Sequence, residues 1–186
     1  MSKKTLEGKK AGESKKPRSS KGAGEERGGP SLSPHLDDRG RVHMVDVGAK
    51  AETTRTARAR AVVIMERETA RRLRAGDTPK GDVLATVRLA AIVAAKRTPD
   101  IVPLAHPIRL TKVAVEIELQ DDRAVIDVTT RADDRTGVEM EAMTAAAAGA
   151  LTLYDMLKAL DRAMRFEVAL LEKTGGKSGD FRRPDP

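Results

Sequence analysis

The chain has 186 residues, with 35 Lys and Arg against 28 Asp and Glu for a formal net charge of +7, no Cys or Trp, one Tyr and two Phe. The absence of Cys excludes disulfides, thiolate metal sites and cysteine nucleophiles, and the scarcity of rings argues against a surface that stacks nucleobases. His35, His43 and His106 are the only histidines, and no two have the close spacing of a helical metal pair, so no dedicated metal site is expected.

Residues 1–33 are built from Lys, Gly, Ser, Glu and Pro, a composition that cannot bury enough apolar surface to offset chain entropy. They are expected to be a disordered basic tail, with the folded domain spanning 34–186. Residues 1–30 hold nine Lys/Arg and four acids, a net +5, which leaves the folded part only +2. The excess charge therefore describes an arm that could touch nucleic acid or simply aid solubility. No secretory leader or long apolar run is visible, and a cytoplasmic protein without membrane contact is expected.

In chain order, RVHMVDV at 41–47 is a short strand candidate. TARARAVVIM at 56–65 sets Ala57, Ala59, Ala61 and Val63 against Arg58 and Arg60, the period of a strand with one buried face. ERETARRLRAGD reads as a short helix closed by Gly76. GDVLATVRLAAIVAAKRT carries a helical stripe at 83, 84, 87, 91 and 94 that should end before Pro99. Pro103 and Pro107 frame the loop IVPLAHPI. LTKVAVEIEL, the turn QDD and RAVIDVTTRA form a hairpin. EMEAMTAAAAGALTLYDMLKALDRAM at 139–164 reads as one long helix, and FEVALLE closes the domain as a last strand. This order is βαββαβ, an α+β ferredoxin-like fold with an antiparallel sheet and helices packed on one face. The uncovered face is expected to meet another copy of the chain.

LLEKTGGKSGDF at 170–181 looks like a phosphate loop. The P-loop pattern needs glycine where Leu171 stands and a helix after the Lys-Ser pair, yet only eight residues follow Ser178, Pro184 and Pro186 among them. It is expected instead to be either a mobile glycine loop in which Lys173, with Lys177 as a helper, approaches an anion, or a disordered basic C-terminus.

Elsewhere, Asp155 and Lys158 are helical neighbours, so the ammonium can hold the carboxylate ionised; an ordinary surface ion pair would look the same. Glu141 lies nearly on the same face, but about 21 Å away along the axis. Either the helix is broken, or any site using both takes parts of two subunits. His106 is offered by a proline-stiffened loop, where it serves structure or chemistry. Lys80 precedes a helix N-terminus, an unfavourable place for a cation, and a ligand anion would account for it.

Taken together, HMVDVGAKAETTR, KGDVLATVRLAAIVAAKRT, IVPLAHPIRLTKVAVEIE, TGVEMEAMTAAAAGALTLYDMLKALDRAM and LLEKTGGKSGDF closely resemble the cyclic pyranopterin monophosphate synthases, the C protein of molybdenum-cofactor biosynthesis. The resemblance runs from about Leu36 to Phe181. It implies an enzyme, a phosphorus–oxygen lyase, that rearranges the 3',8-cyclised dihydro derivative of GTP to cyclic pyranopterin monophosphate and releases pyrophosphate. It implies a hexamer of three dimers with sites at subunit interfaces. By motif, Asp155 would be the catalytic acid/base, with burial and Lys158 tuning its pKa, and Lys158 and Lys80 the essential lysines. Leu104, Ala105, His106, Met140 and Glu141 would line the substrate, and Glu139 and Lys173 would complete the polar pocket. Mg²⁺ could accompany the triphosphate, although no carboxylate cage is visible. Where the family usually has Cys, this chain has Ala105: either the thiol is a packing or contact residue and activity survives, or efficiency is lost, and the retention of Asp155, Lys158, Lys80, His106 and Glu141 favours the first. A ferredoxin-like nucleic-acid-binding module using the basic tail, or a purely structural subunit, are the competing readings; the few aromatic residues disfavour the first.

Overall fold

The structure is a computed structural model that describes residues 35–37, 39–177 and 179–184. The tail expected at 1–33 lies outside the described residues, as does Ser178. The elements are β1 (Thr53–Ile64), α1 (Arg67–Ala75), α2 (Val83–Lys96), α3 (Thr98–Ile101), β2 (Leu110–Leu119), β3 (Arg123–Asp134), α4 (Glu139–Leu157), β4 (Arg165–Thr174) and β5 (Phe181–Arg182). Among the described residues the sheet has five strands in the order β2-β3-β1-β4-β5, and every pairing is antiparallel. The first four strands and the helices make the expected ferredoxin-like arrangement, in which β3 lies between β1 and β2.

Alternation in β1 does what its period predicts. Ala57, Ala59, Ala61 and Val63 are buried, while Arg60 points the other way and clasps Asp127 of β3 at 2.8 and 2.7 Å. Small residues on both partners let α4 lie close over the sheet: Ala142, Ala145, Ala146 and Ala150 are fully buried there, with Leu153 and Leu157 as the large side chains that fill the remaining space. The helix α2 packs beside α4 through Val83, Val87 and Ala91.

Three local readings need correction. RVHMVDV forms no strand; only a single bridge joins Leu36 to Val42. Val42 and Met44 are exposed, so apolar alternation there finds no sheet edge to pair with. Helix α2 does end before Pro99, at Lys96, and Pro99 sits in the first turn of α3, where its missing N–H has no helical partner to lose. The long helix stops at Leu157, seven residues early. Beyond it the buried carboxylate of Asp161 accepts from the N–H groups of Ala163 at 2.8 Å and Glu66 at 2.9 Å, turning the chain toward β4. Finally, β4 is not the last strand, because Phe181 and Arg182 pair with Lys173 and Glu172.

The connection between β4 and β5 is the glycine segment. Gly175 and Gly176 have φ of 85° and 91°, a region open to glycine and costly for other residues. A Cβ on Gly175 would strike the carbonyl of Thr54, and one on Gly176 the guanidinium of Arg55. The loop expected to be mobile is thus packed against the start of β1. Arg55 is itself buried and donates to the carbonyls of Asp134 at 3.0 Å and Arg135 at 3.1 Å, tying the end of β3 to the same corner.

Candidate active site

Two groups of candidate residues form, one at each end of α4. At its C-terminal end, Asp155 accepts from Lys158 at 2.7 Å and from Lys80 at 2.7 Å. Lys80 also donates to the backbone carbonyl of Asp155 at 2.9 Å, one of the last carbonyls of the helix, where the dipole favours a cation. Its position before α2 is built locally: Gly81 takes φ of 77°, Thr78 bonds the Gly81 carbonyl, and Asp82 caps α2 by accepting from Ala85 N–H at 2.9 Å. The anion that offsets the charge of Lys80 is therefore Asp155 of the same chain.

Hydrogen bonds from Lys158 and then Lys80 hold the Asp155 carboxyl down at about 2. Burial works the other way, raising the carboxyl, and the two lysine hydrogen bonds outweigh it at a side chain that is 52% exposed. Beside this trio lies a hollow of about 340 Å³ lined by Lys80, Tyr154, Lys158, Ala159 and Arg162.

At the N-terminal end of α4 a second cavity, of about 300 Å³, is lined by Leu104, Ala105, His106, Glu139, Met140 and Glu141 among others. The loop expected to offer His106 does so, and Nε2 of the ring lies 2.7 Å from the Val45 carbonyl. A carbonyl only accepts, so Nε2 carries the hydrogen of this contact. Lys173 of β4 reaches Glu139 at 3.5 Å, which brings the glycine-segment lysine to this cavity; Lys177 is exposed on the turn.

Glu141 is only 2% exposed. Burial pushes its carboxyl up to about 7, and the negative charges of Glu139 and Asp134 add to the rise. The backbone is shaped to admit this crowding of acids. Thr130 bonds the Val138 carbonyl at 3.0 Å, fixing the entry to α4, and Gly137 leaves room where a Cβ would run into the carboxylate of Glu139.

Helix α4 is unbroken from Glu139 to Leu157, so one of the two ways of joining Glu141 to Asp155 within a site is removed. Fourteen residues of helix hold them about 21 Å apart. Nearly the same helical face also gives opposite surroundings, since Glu141 is buried beside the loops that carry Val45 and Leu104, whereas Asp155 is exposed.

Sequence reasoning singled out neither Lys50, Thr136 and Gly137 nor His35, all of which line the N-terminal cavity. The first three fall inside motifs already noted, but in loops, where no periodicity marks which side chains converge. Arg162 was missed because it was read as part of a continuing helix. Among the described residues no group of three or more His, Asp or Glu side chains could hold a metal ion, and no helix is long and apolar enough to cross a membrane.

Residues 44–176 match the model of the MoaC family. The chain is 55% identical over 150 residues to a cyclic pyranopterin monophosphate synthase of Roseiflexus sp. (strain RS-1), covering 79% of this chain and 95% of the relative. It is 56% identical over 153 residues to the protein of that name in Herpetosiphon aurantiacus, covering 81% and 93%, and 54% identical over 155 residues to the one in Nostoc sp., covering 82% and 92%. By the extent of both matches, this chain belongs to the MoaC family.

Proposed function

We propose that this chain is a cytoplasmic cyclic pyranopterin monophosphate synthase of molybdenum-cofactor biosynthesis. Its substrate in this reading is (8S)-3',8-cyclo-7,8-dihydroguanosine 5'-triphosphate, which it converts to cyclic pyranopterin monophosphate and pyrophosphate. The name carried by the relatives supports the reaction. The observation that supports the mechanism most is the pairing of opposite carboxyl states on one helix: Asp155 ionised beside two lysines, and Glu141 able to carry a proton near neutrality.

The two states suit two parts of the chemistry. Ring opening and cyclic phosphate formation both move protons. Asp155 enters as a base, since its carboxylate stays ionised at neutral pH. Lys80 and Lys158 orient it, offset the triphosphate charge and stabilise the departing pyrophosphate. In the other cavity Glu141 supplies or takes a proton on the pterin side. His106, Leu104, Ala105 and Met140 bound the heterocycle there, and Glu139 with Lys173 fixes its polar edge. Mg²⁺, where present, would arrive with the triphosphate as part of the substrate.

Both cavities serve one substrate only if Asp155 of one subunit meets Glu141 of another. The unbroken helix supports that arrangement, which a hexamer built as a trimer of dimers would supply. The test is to incubate the purified protein with the cyclised nucleotide and follow pyrophosphate and pterin together. Formation of both is expected. Formation of neither, under conditions where a known synthase makes both, would remove the assignment.

A further inference from the structure

The segment that follows α4 presents an arginine that nothing above uses. After Leu157 the chain turns, with Leu160 N–H and Asp161 N–H both on the Leu157 carbonyl at 2.8 and 3.2 Å. Asp161 is 4% exposed, and its two hydrogen bonds staple the turn to Glu66 at the β1–α1 junction and to Ala163. Tyr154 donates its hydroxyl to the Arg162 carbonyl at 3.4 Å. The backbone on both sides of Arg162 is thereby fixed, while its side chain is exposed and lines the 340 Å³ hollow.

The charge balance of that hollow is unequal. Lys80 and Lys158 share one carboxylate, Asp155, and among the described residues no acid pairs with Arg162. Three cations and one anion leave two positive charges around an open space. A guanidinium is a planar fork that grips two non-bridging oxygens of a phosphate at once, whereas a lysine acts as a point charge. A guanidinium fork on an anchored backbone, beside two ammonium groups, matches an anion with several oxygens on adjacent phosphorus atoms.

We propose that Arg162, together with Lys80 and Lys158, forms a binding subsite for condensed phosphate, and that Asp161 and Tyr154 are positioning residues for it. The subsite deepens the function proposed above and rests on that reading for its natural occupant, the polyphosphate end of the substrate and the pyrophosphate it releases.

The experiment titrates the full chain with inorganic pyrophosphate by calorimetry, comparing wild type with Arg162→Gln, Arg162→Lys and, as a control for charge alone, Arg71→Gln. Arg71 pairs with Glu68 on α1 and does not line the hollow. Arg162→Gln is expected to weaken pyrophosphate binding about tenfold, the size of one charge-assisted hydrogen bond, with Arg162→Lys intermediate and Arg71→Gln unchanged. Equal binding by wild type and Arg162→Gln, an equal loss in Arg71→Gln, or no binding by wild type overturns the subsite. If Arg162→Gln loses binding as expected while wild type converts no cyclised nucleotide, the subsite stands and the reaction assigned above falls.

Discussion

The two ends of α4 each hold a carboxyl group, and each end sets it against the helix dipole. At the N-terminus the dipole favours an ionised acid, yet Glu141 is pushed up to about 7; at the C-terminus it disfavours one, yet Asp155 is held at about 2. A dipole contributes roughly 0.3–1 kcal/mol at a helix end. Raising Glu141 from 4.5 to about 7 corresponds to on the order of 3 kcal/mol, so desolvation wins there. At the exposed end two lysine hydrogen bonds prevail without any help from burial. Burial of one carboxyl and exposure of the other thus divide one helix into a proton-carrying end and a permanently charged end.

The largest expected effect follows from removing the permanent charge. Asp155→Asn keeps the shape but leaves Lys80 and Lys158 without their anion, and turnover should fall about 10³-fold. Size-exclusion chromatography and circular dichroism should be unchanged; an unfolded variant would make Asp155 a structural residue instead.

Glu141→Gln sharpens the other side of the comparison. Turnover should fall about 10²-fold, and a pH–rate limb near 7 present in wild type should disappear. Stability gives an independent reading with a definite sign. The folded-state value lies above the ordinary 4.5, so the folded chain binds the proton more tightly. Its stabilising contribution is complete below about pH 4.5 and is lost as pH rises through about 7. Wild type should lose on the order of 3 kcal/mol relative to Glu141→Gln between pH 4 and pH 8, measured by urea unfolding. Parallel curves for the two proteins would mean that Glu141 titrates normally.

How much of this was legible in the chain depended on whether a feature has a period. β1, the β2–β3 hairpin and the start of α4 follow from the alternation of Ala57, Ala59 and Ala61 with arginines and from the Ala-rich run after Glu139. The early end of α4 did not, because its cause is Asp161 reaching Glu66, ninety-five residues away along the chain. β5 was hidden because two residues carry no pattern, and 41–47 misled because alternation says nothing about whether a partner strand is near. In the candidate site, the Asp155–Lys158 pair was visible from spacing alone. The state of Glu141 was not, since helical geometry gives its direction but not what covers it.

The smallest expected effect tests the scaffold between the two ends. A Cβ on Gly149 would sit 3.6 Å from Ile126 and Val87, an ordinary contact, in the middle of α4. Gly149→Ala should raise stability by about 0.5–1 kcal/mol through helix propensity and leave turnover unchanged. A loss of activity would show that the spacing of the two ends responds to how α4 packs.

The claim that the two ends of α4 serve one site by belonging to different subunits is tested most directly by mixing. Asp155→Asn and Glu141→Gln proteins, each nearly inactive alone, are combined, allowed to exchange subunits and assayed for pyrophosphate release. Random pairing makes half the dimers mixed, each with one intact site of two, so activity should recover to about one quarter of wild type. No recovery after exchange has been verified by mass spectrometry would contradict a shared site.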